Sequence, residues 1–339
     1  MSDLPRVWRP LNRPDFGVVD SISEMIRQEE WKDPDLLTGI DRGREVIVVS
    51  DYAGDSRESA FQSYSFLLVD LLFIWYWNEV RLHLRKSILP DRRRLSYKKL
   101  QSDKSRARCL VPFLRAANSL PGVLVTFLVH KRLRSLFKVD AGGSYPPDIN
   151  PDHWRPNQFE KLIRVAHLSS LLISGLVREG QRIMWVSDQD EIVPNETLHV
   201  EACKIFSHVL SEYLTFKPSR LQFATTRSDD GSLLLEDLSV LPDLAAGCLA
   251  EITTSMSDTG LLAAPGILGP MDSGVSKKAH AIVGWLADNT YTLRKLSFAI
   301  DYVPPNGLKL KKLNLFLEQP LPEYDFRPDF EDYLRTGHI

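Results

Sequence analysis

The sequence predicts an α/β fold built on a mixed sheet, and two observations carry that reading. Strand-like and helix-like patterns follow one another in the order strand, antiparallel strand, helices, strand, helix, strand, helix, strand, helix. Two of the apolar strand runs, Glu45–Ser50 and Arg182–Ser187, also end in the same tripeptide, so that Val-Ser delivers Asp51 in one and Asp188 in the other. Ligands of α/β proteins gather outside the carboxyl ends of strands. The repeat therefore predicts two adjacent parallel strands with Asp51 and Asp188 side by side.

Residues 1–44 show no clear period before Asp20-Ser21-Ile22-Ser23-Glu24, a helix start with acid in its first turn, and are expected to form an N-terminal arm. Glu45–Ser50 is a short β-branched run, expected as a central buried strand, and Asp51-Tyr52-Ala53-Gly54-Asp55-Ser56 is turn chemistry at its end. Phe61–Leu72 alternates aromatic, polar and branched residues and returns antiparallel. Helical periods follow from about Trp77 to Leu89 and near Ser105–Ala117, the second expected to be kinked or shortened by Pro112. Val123–Val129 is a strand. Beyond a Gly- and Pro-containing loop at 140–156 come a helix at Asn157–Val177, the strand Arg182–Ser187, a helix at Thr197–Leu214 and a strand at Arg220–Thr226. Leu233–Leu238 leads through Pro242 to a helix opening at Asp243, whose small residues Ala245, Ala246 and Gly247 permit close packing on a sheet. Ser255–Gly274 reads as a linker, followed by a helix at Lys278–Asn289 and paired strands at Leu296–Tyr302 and Leu310–Leu317. The expected division is an arm at 1–44, a core domain at 45–255, and a linker with an α+β extension at 256–339.

Composition narrows the functional classes. With 43% hydrophobic and 25% charged residues in 339, no long disordered tract is expected. Cys109, Cys203 and Cys248 are odd in number and widely spaced, which points away from a disulfide framework and towards a reducing compartment. The first residues lack a signal-peptide pattern, and the apolar stretch Phe66–Trp77 is interrupted by Asp70 and falls short of the roughly 20 residues a membrane helix needs. A cytoplasmic protein with no membrane partner is expected. The net charge of -2 hides an uneven distribution, because residues 81–138 hold sixteen Lys and Arg against Asp91 and Asp103. Such a block suggests a polyanion surface, the competing explanation being solvated helix faces. Among the tryptophans, Trp75, Trp77 and Trp154 could stack on bases, core packing being the default for the first two.

The strand end Asp51-Tyr52-Ala53-Gly54, the Asp188 that follows a second strand, and Pro242-Asp243-Leu244-Ala245-Ala246-Gly247 at a helix start resemble, in that order, a large bacterial family of RNase H-like proteins of unassigned function. That family opens its core with Asp-Glu-Ser-Gly and later shows Ala-Asp-Leu-x-Ala-Gly. Tyr97-Lys98-Lys99-Leu100 and the strand running into His130-Lys131 also fit its order, so the resemblance spans about residues 45–255. It departs at Tyr52, where the family has Glu, and no acid of the basic block supplies a clear fourth carboxylate. Asp55 or Asp190 would have to compensate.

The resemblance implies an RNase H-like fold and a two-metal hydrolase in which Asp51, Asp188 and Asp243 are catalytic ligands, with Asp55 and Asp190 as further metal ligands. Oxygen-only ligation favours Mg²⁺ or Mn²⁺ over zinc. Arg92, Arg93, Arg94, Lys98, Lys99 and Lys131 would hold a nucleic acid, DNA or RNA. A nuclease or related phosphodiester-processing enzyme is the first expectation, in a mobile-element or antiviral-defence setting that the resemblance suggests. The alternative is a non-catalytic subunit that binds nucleic acid or a protein partner within an assembly. Each acid also has an ordinary explanation: Asp51 as a turn cap, Asp188 as a loop start and Asp243 as a helix N-cap.

Overall fold

A computed structural model describes residues 6–40, 43–137, 145–187, 192–193, 195–259, 267–268, 275–303 and 307–315. In chain order the elements are α1 (Val19–Lys32), β1 (Glu45–Ala53), β2 (Phe61–Asp70), α2 (Trp75–Ile88), α3 (Lys104–Ala117), β3 (Gly122–His130), α4 (Pro156–Leu176), β4 (Arg182–Ser187), α5 (Glu196–Tyr213), β5 (Arg220–Thr225), α6 (Leu234–Thr259), β6 (Ile267–Leu268), α7 (Lys277–Ala287), β7 (Leu293–Val303), β8 (Gly307–Lys312) and β9 (Asn314–Leu315). Seven of the strands form one mixed sheet in the order β5-β4-β1-β2-β3-β7-β8, flanked by helices, while β6 and β9 make a separate two-residue ladder. Strands β1, β2 and β3 are an antiparallel meander. On the other side of β1 lie β4 and then β5, both parallel to it.

The two strands with the shared tripeptide are neighbours, as expected. Glu45 pairs with Arg182, and the register continues to Ser50 opposite Ser187. Asp188 and Asp190 themselves lie outside the described residues.

Alternation along the strands divides the core in two. Val46 and Val48 of β1, with Tyr64 and Phe66 of β2, face α1, α4 and α5, whereas Ile47 and Val49, with Leu67 and Val69, face α2, α3, α6 and α7. Trp8, Phe16, Ile22 and Ile26 join the first of these clusters, so the segment expected as an arm packs into the main core. At the other end β7 and β8 pair, as expected, and do so antiparallel; β7 also pairs parallel with β3, which makes both strands part of the main sheet.

The start expected at Asp243 is corrected. Helix α6 runs unbroken from Leu234 to Thr259 with Pro242 inside it. Its buried Leu238, Leu241, Leu244 and Ala245 pack against β1 and β2, and that burial overrides a local preference to break. Pro112 is likewise inside α3 without shortening it.

A pH dependence arises from α4. His167 is buried, its ring 4.4 Å from that of Phe137 and its Nδ1 2.8 Å from the Tyr213 hydroxyl. Burial, aided by the charge of Arg13, lowers its pKa from 6.5 to about 3. Between those two values the unfolded chain takes up a proton that the folded chain refuses. The contribution is therefore intact above pH 6.5 and is lost as the pH falls towards 3, at up to about 1.4 kcal/mol per pH unit. Urea titrations from pH 7 to pH 4 should show a shallower loss in His167→Gln than in the wild type. Equal slopes would assign the acid sensitivity to other groups.

Candidate functional site

At the carboxyl end of β1 a cleft of about 1140 Å³ opens between the turn after β1, α6, the basic segment before α3, Lys161 of α4 and Lys278 of α7. Asp51, Asp55 and Asp243 all line it, together with Glu236 and Glu251.

Strand parity decides which side chains meet. Asp51 continues the series Ile47, Val49 on the α6 side, while Ser50 and Tyr52 fall on the α4 side. The Asp51 carboxylate is half-buried and accepts the backbone N–H of Tyr52 at 2.6 Å. The Tyr52 hydroxyl lies 2.7 Å from Ser50 Oγ, which accepts from the indole of Trp185 at 3.2 Å. The departure from the resembled motif thus sits on the opposite face from Asp51, and a tyrosine there removes no carboxylate from Asp51's side. Gly54 closes the turn at φ +92°, where a Cβ would stand 2.3 Å from the Phe61 carbonyl oxygen, so this position demands glycine.

Asp55 turns towards the α4 side. Its Oδ2 lies 3.1 Å from the ammonium of Lys161, and its Oδ1 accepts from Gln62 at 3.3 Å. The carboxylate expected as an auxiliary metal ligand is thus ion-paired with a lysine.

Asp243, in the middle of α6, cannot cap its own helix. Its Oδ2 instead accepts the Tyr97 N–H at 2.6 Å, at the start of the short turn Tyr97–Lys99. Gly247 lets the tyrosine approach the helix closely, since a Cβ there would come 2.5 Å from the ring. The Tyr97 hydroxyl donates to Glu251 Oε2 at 2.6 Å, and Lys278 donates to the Tyr97 carbonyl at 3.0 Å while standing 3.9 Å from the ring centroid. Burial, with the neighbouring Cys248 and Glu251, raises the tyrosine's pKa and keeps it a donor. Burial works against ionisation of Glu251, but hydrogen bonds from Tyr97 and Ser276 outweigh it and hold that carboxyl below its usual range.

The basic block divides into two populations. Arg92, Arg93, Arg94, Lys98 and Lys99 are exposed, and Arg94, Lys98 and Lys99 line the cleft. Within this segment Arg93 pairs with Asp91 and Asp103, and Arg94 with Glu236. Lys131, partly exposed after β3, donates to the Ser56 carbonyl at the cleft's turn. Arg81 and Arg85, by contrast, are buried against Asp237, which lies fully buried in α6. Trp77 and Trp154 are core residues. Trp75 is exposed, but it follows the end of β2 that pairs with the start of β1, away from the cleft.

Sequence reasoning missed Lys161, Glu236, Glu251 and Lys278. Glu251 carried a signal, since Asp243, Gly247 and Glu251 recur every four residues and share a helix face. Lys161 carried a weaker one, a lone lysine at the head of an apolar helical run.

The cleft's described lining has carboxylate and hydroxyl oxygens with no His or Cys, a donor set that suits a hard cation such as Mg²⁺ or Mn²⁺, and its acids stand among the cations Arg94, Lys98, Lys99, Lys161 and Lys278. Among the described residues no three His, Cys, Asp or Glu side chains already stand together as a metal-binding group. Among those residues, too, no helix is long and apolar enough to cross a membrane. No protein-family model matches the chain, and a search of curated proteins finds no match.

Proposed function

We propose that this chain is a divalent-metal-dependent nuclease, or a related phosphodiester-processing enzyme, on an RNase H-like core. The observation that carries the reading is the parallel pairing of β1 with β4, Ser50 opposite Ser187, beside a cleft that holds both Asp51 and Asp243. The antiparallel β1–β2–β3 meander with β4 and β5 added on the far side of β1 supports the RNase H-like part.

A bound Mg²⁺ or Mn²⁺ would supply an activated water and offset charge on the phosphodiester. Asp51 would hold it from a rigid strand end, and Asp243 from the facing helix, with Asp188 as the ligand proposed from the sequence. The Tyr97 N–H fixes the orientation of Asp243. Arg94, Lys98 and Lys99 would draw the phosphate backbone along the rim. A second reading, a non-catalytic subunit that binds nucleic acid, is favoured by the engagement of Asp55 with Lys161 and of Asp243 with Tyr97.

End-labelled single- and double-stranded DNA and RNA, incubated with Mg²⁺, Mn²⁺ or EDTA, test the choice. Cleavage of at least one substrate in either metal and none in EDTA is the expected result; binding without cleavage under every condition would select the second reading. The double variant Lys98→Gln/Lys99→Gln should also bind more weakly, with a log-log salt slope shallower by about two units. An unchanged slope would return these lysines to the solvated surface.

A further inference from the structure

Lys161 is an unusual residue for its position. It projects from α4 just before Leu162, Ile163, Val165 and Ala166, which are all buried, and its own side chain is only 6% exposed. An ammonium is strongly hydrated, and removing it from water is unfavourable unless a well-placed partner compensates. One such partner is Asp55, 3.1 Å away, whose side chain is 47% exposed and belongs to the turn after β1. The lysine is fixed by its helix; the carboxylate is held by a surface turn. The ammonium also stands 5.3 Å from the ring centroid of Tyr52 and lines the cleft with Asp51. The same turn receives Lys131 at the Ser56 carbonyl, which places a second cation nearby.

We propose that Lys161 is a phosphate-binding residue of the cleft, with Asp55 as a built-in counter-ion that a substrate phosphate displaces. The inference rests on the nucleic-acid reading above and adds a phosphate subsite on the α4 side of the cleft, across from Lys98 and Lys99. A buried ion pair with one loop-borne, half-exposed member adds little to stability, and an apolar side chain of similar length is often tolerated in its place. A ligand that brings its own negative charge gives the buried lysine a purpose. It also accounts for Asp55 without making it a metal ligand, because the carboxylate competes with the phosphate for one ammonium.

The test is fluorescence anisotropy of labelled single-stranded DNA and RNA oligonucleotides in EDTA, so that no metal chemistry enters. Lys161→Met should weaken binding severalfold and lower the salt slope by about one unit, while its melting temperature stays at or above that of the wild type. Asp55→Asn should shift affinity the other way, binding more tightly because the competing charge is gone. Lys161→Arg should keep most of the affinity. A purely structural ion pair predicts the reverse pattern, with a lower melting temperature for Lys161→Met and unchanged affinity and slope for both variants, and that result would overturn the proposal; Asp55→Asn takes the carboxylate from a buried ammonium and lowers the melting temperature in either case. If the wild type binds and Lys161→Met binds equally well, the subsite alone falls. If the wild type binds none of the oligonucleotides, the nucleic-acid reading falls and the subsite with it.

Discussion

Asp237→Asn is expected to destabilise the fold by about 3–5 kcal/mol, enough to unfold a marginally stable domain. The Asp237 side chain has no solvent exposure, and the two guanidiniums on it are 1% and 10% exposed. Arg81 donates to Oδ2 at 3.0 Å and Arg85 donates to the same oxygen at 2.9 Å, with a second Arg85 bond to Oδ1. The amide keeps the shape but removes the carboxylate charge that pairs with both guanidiniums. The consequence extends to the cleft, because Arg85 also donates to the Arg93 carbonyl at 2.6 Å and so ties the basic segment to α6. Urea titration measures the loss. Replacing the whole group with apolar residues, as Arg81→Met/Arg85→Met/Asp237→Leu, should recover much of it, since a well-packed apolar set can stand in for a buried ion network. A change below about 1 kcal/mol in Asp237→Asn would show that the network is not what holds α2 to α6.

Strands β1 to β5 were legible because each is a β-branched or aromatic run bounded by turn residues, whereas β7 and β8, expected in a separate extension, join the main sheet. Glu45–Ser50 and Arg182–Ser187 were placed as parallel neighbours from the tripeptide they share, and the register bears that out. What misled was local propensity at Pro242, where tertiary burial of α6 prevails, and the aperiodic stretch before Asp20, whose Trp8 and Phe16 are core residues. The candidate site was legible only in part. Asp51 and Asp243 reach one cleft because strand parity and helix packing bring them there. Sequence separation concealed the pairings of Asp55 with Lys161 and of Asp243 with the Tyr97 backbone, since each joins residues more than a hundred positions apart. The basic block looked uniform because charge counting cannot distinguish Arg85, buried on Asp237, from Lys98 on the rim.

The central claim is that Asp51 holds the catalytic cation, and Asp51→Asn is the measurement that tests it most directly. The substitution keeps an oxygen able to accept the Tyr52 N–H, so the turn after β1 should survive, and asparagine caps about as well as aspartate. It removes the negative charge that a divalent ion needs. Melting temperature and oligonucleotide binding in EDTA are expected to stay near wild type. Cleavage in Mg²⁺ or Mn²⁺ is expected to disappear, a loss greater than the roughly 10–100-fold that outer-shell partners of a metal site typically carry. Wild-type cleavage that persists at a similar rate in Asp51→Asn would contradict the account and leave Asp51 as the cap of its turn.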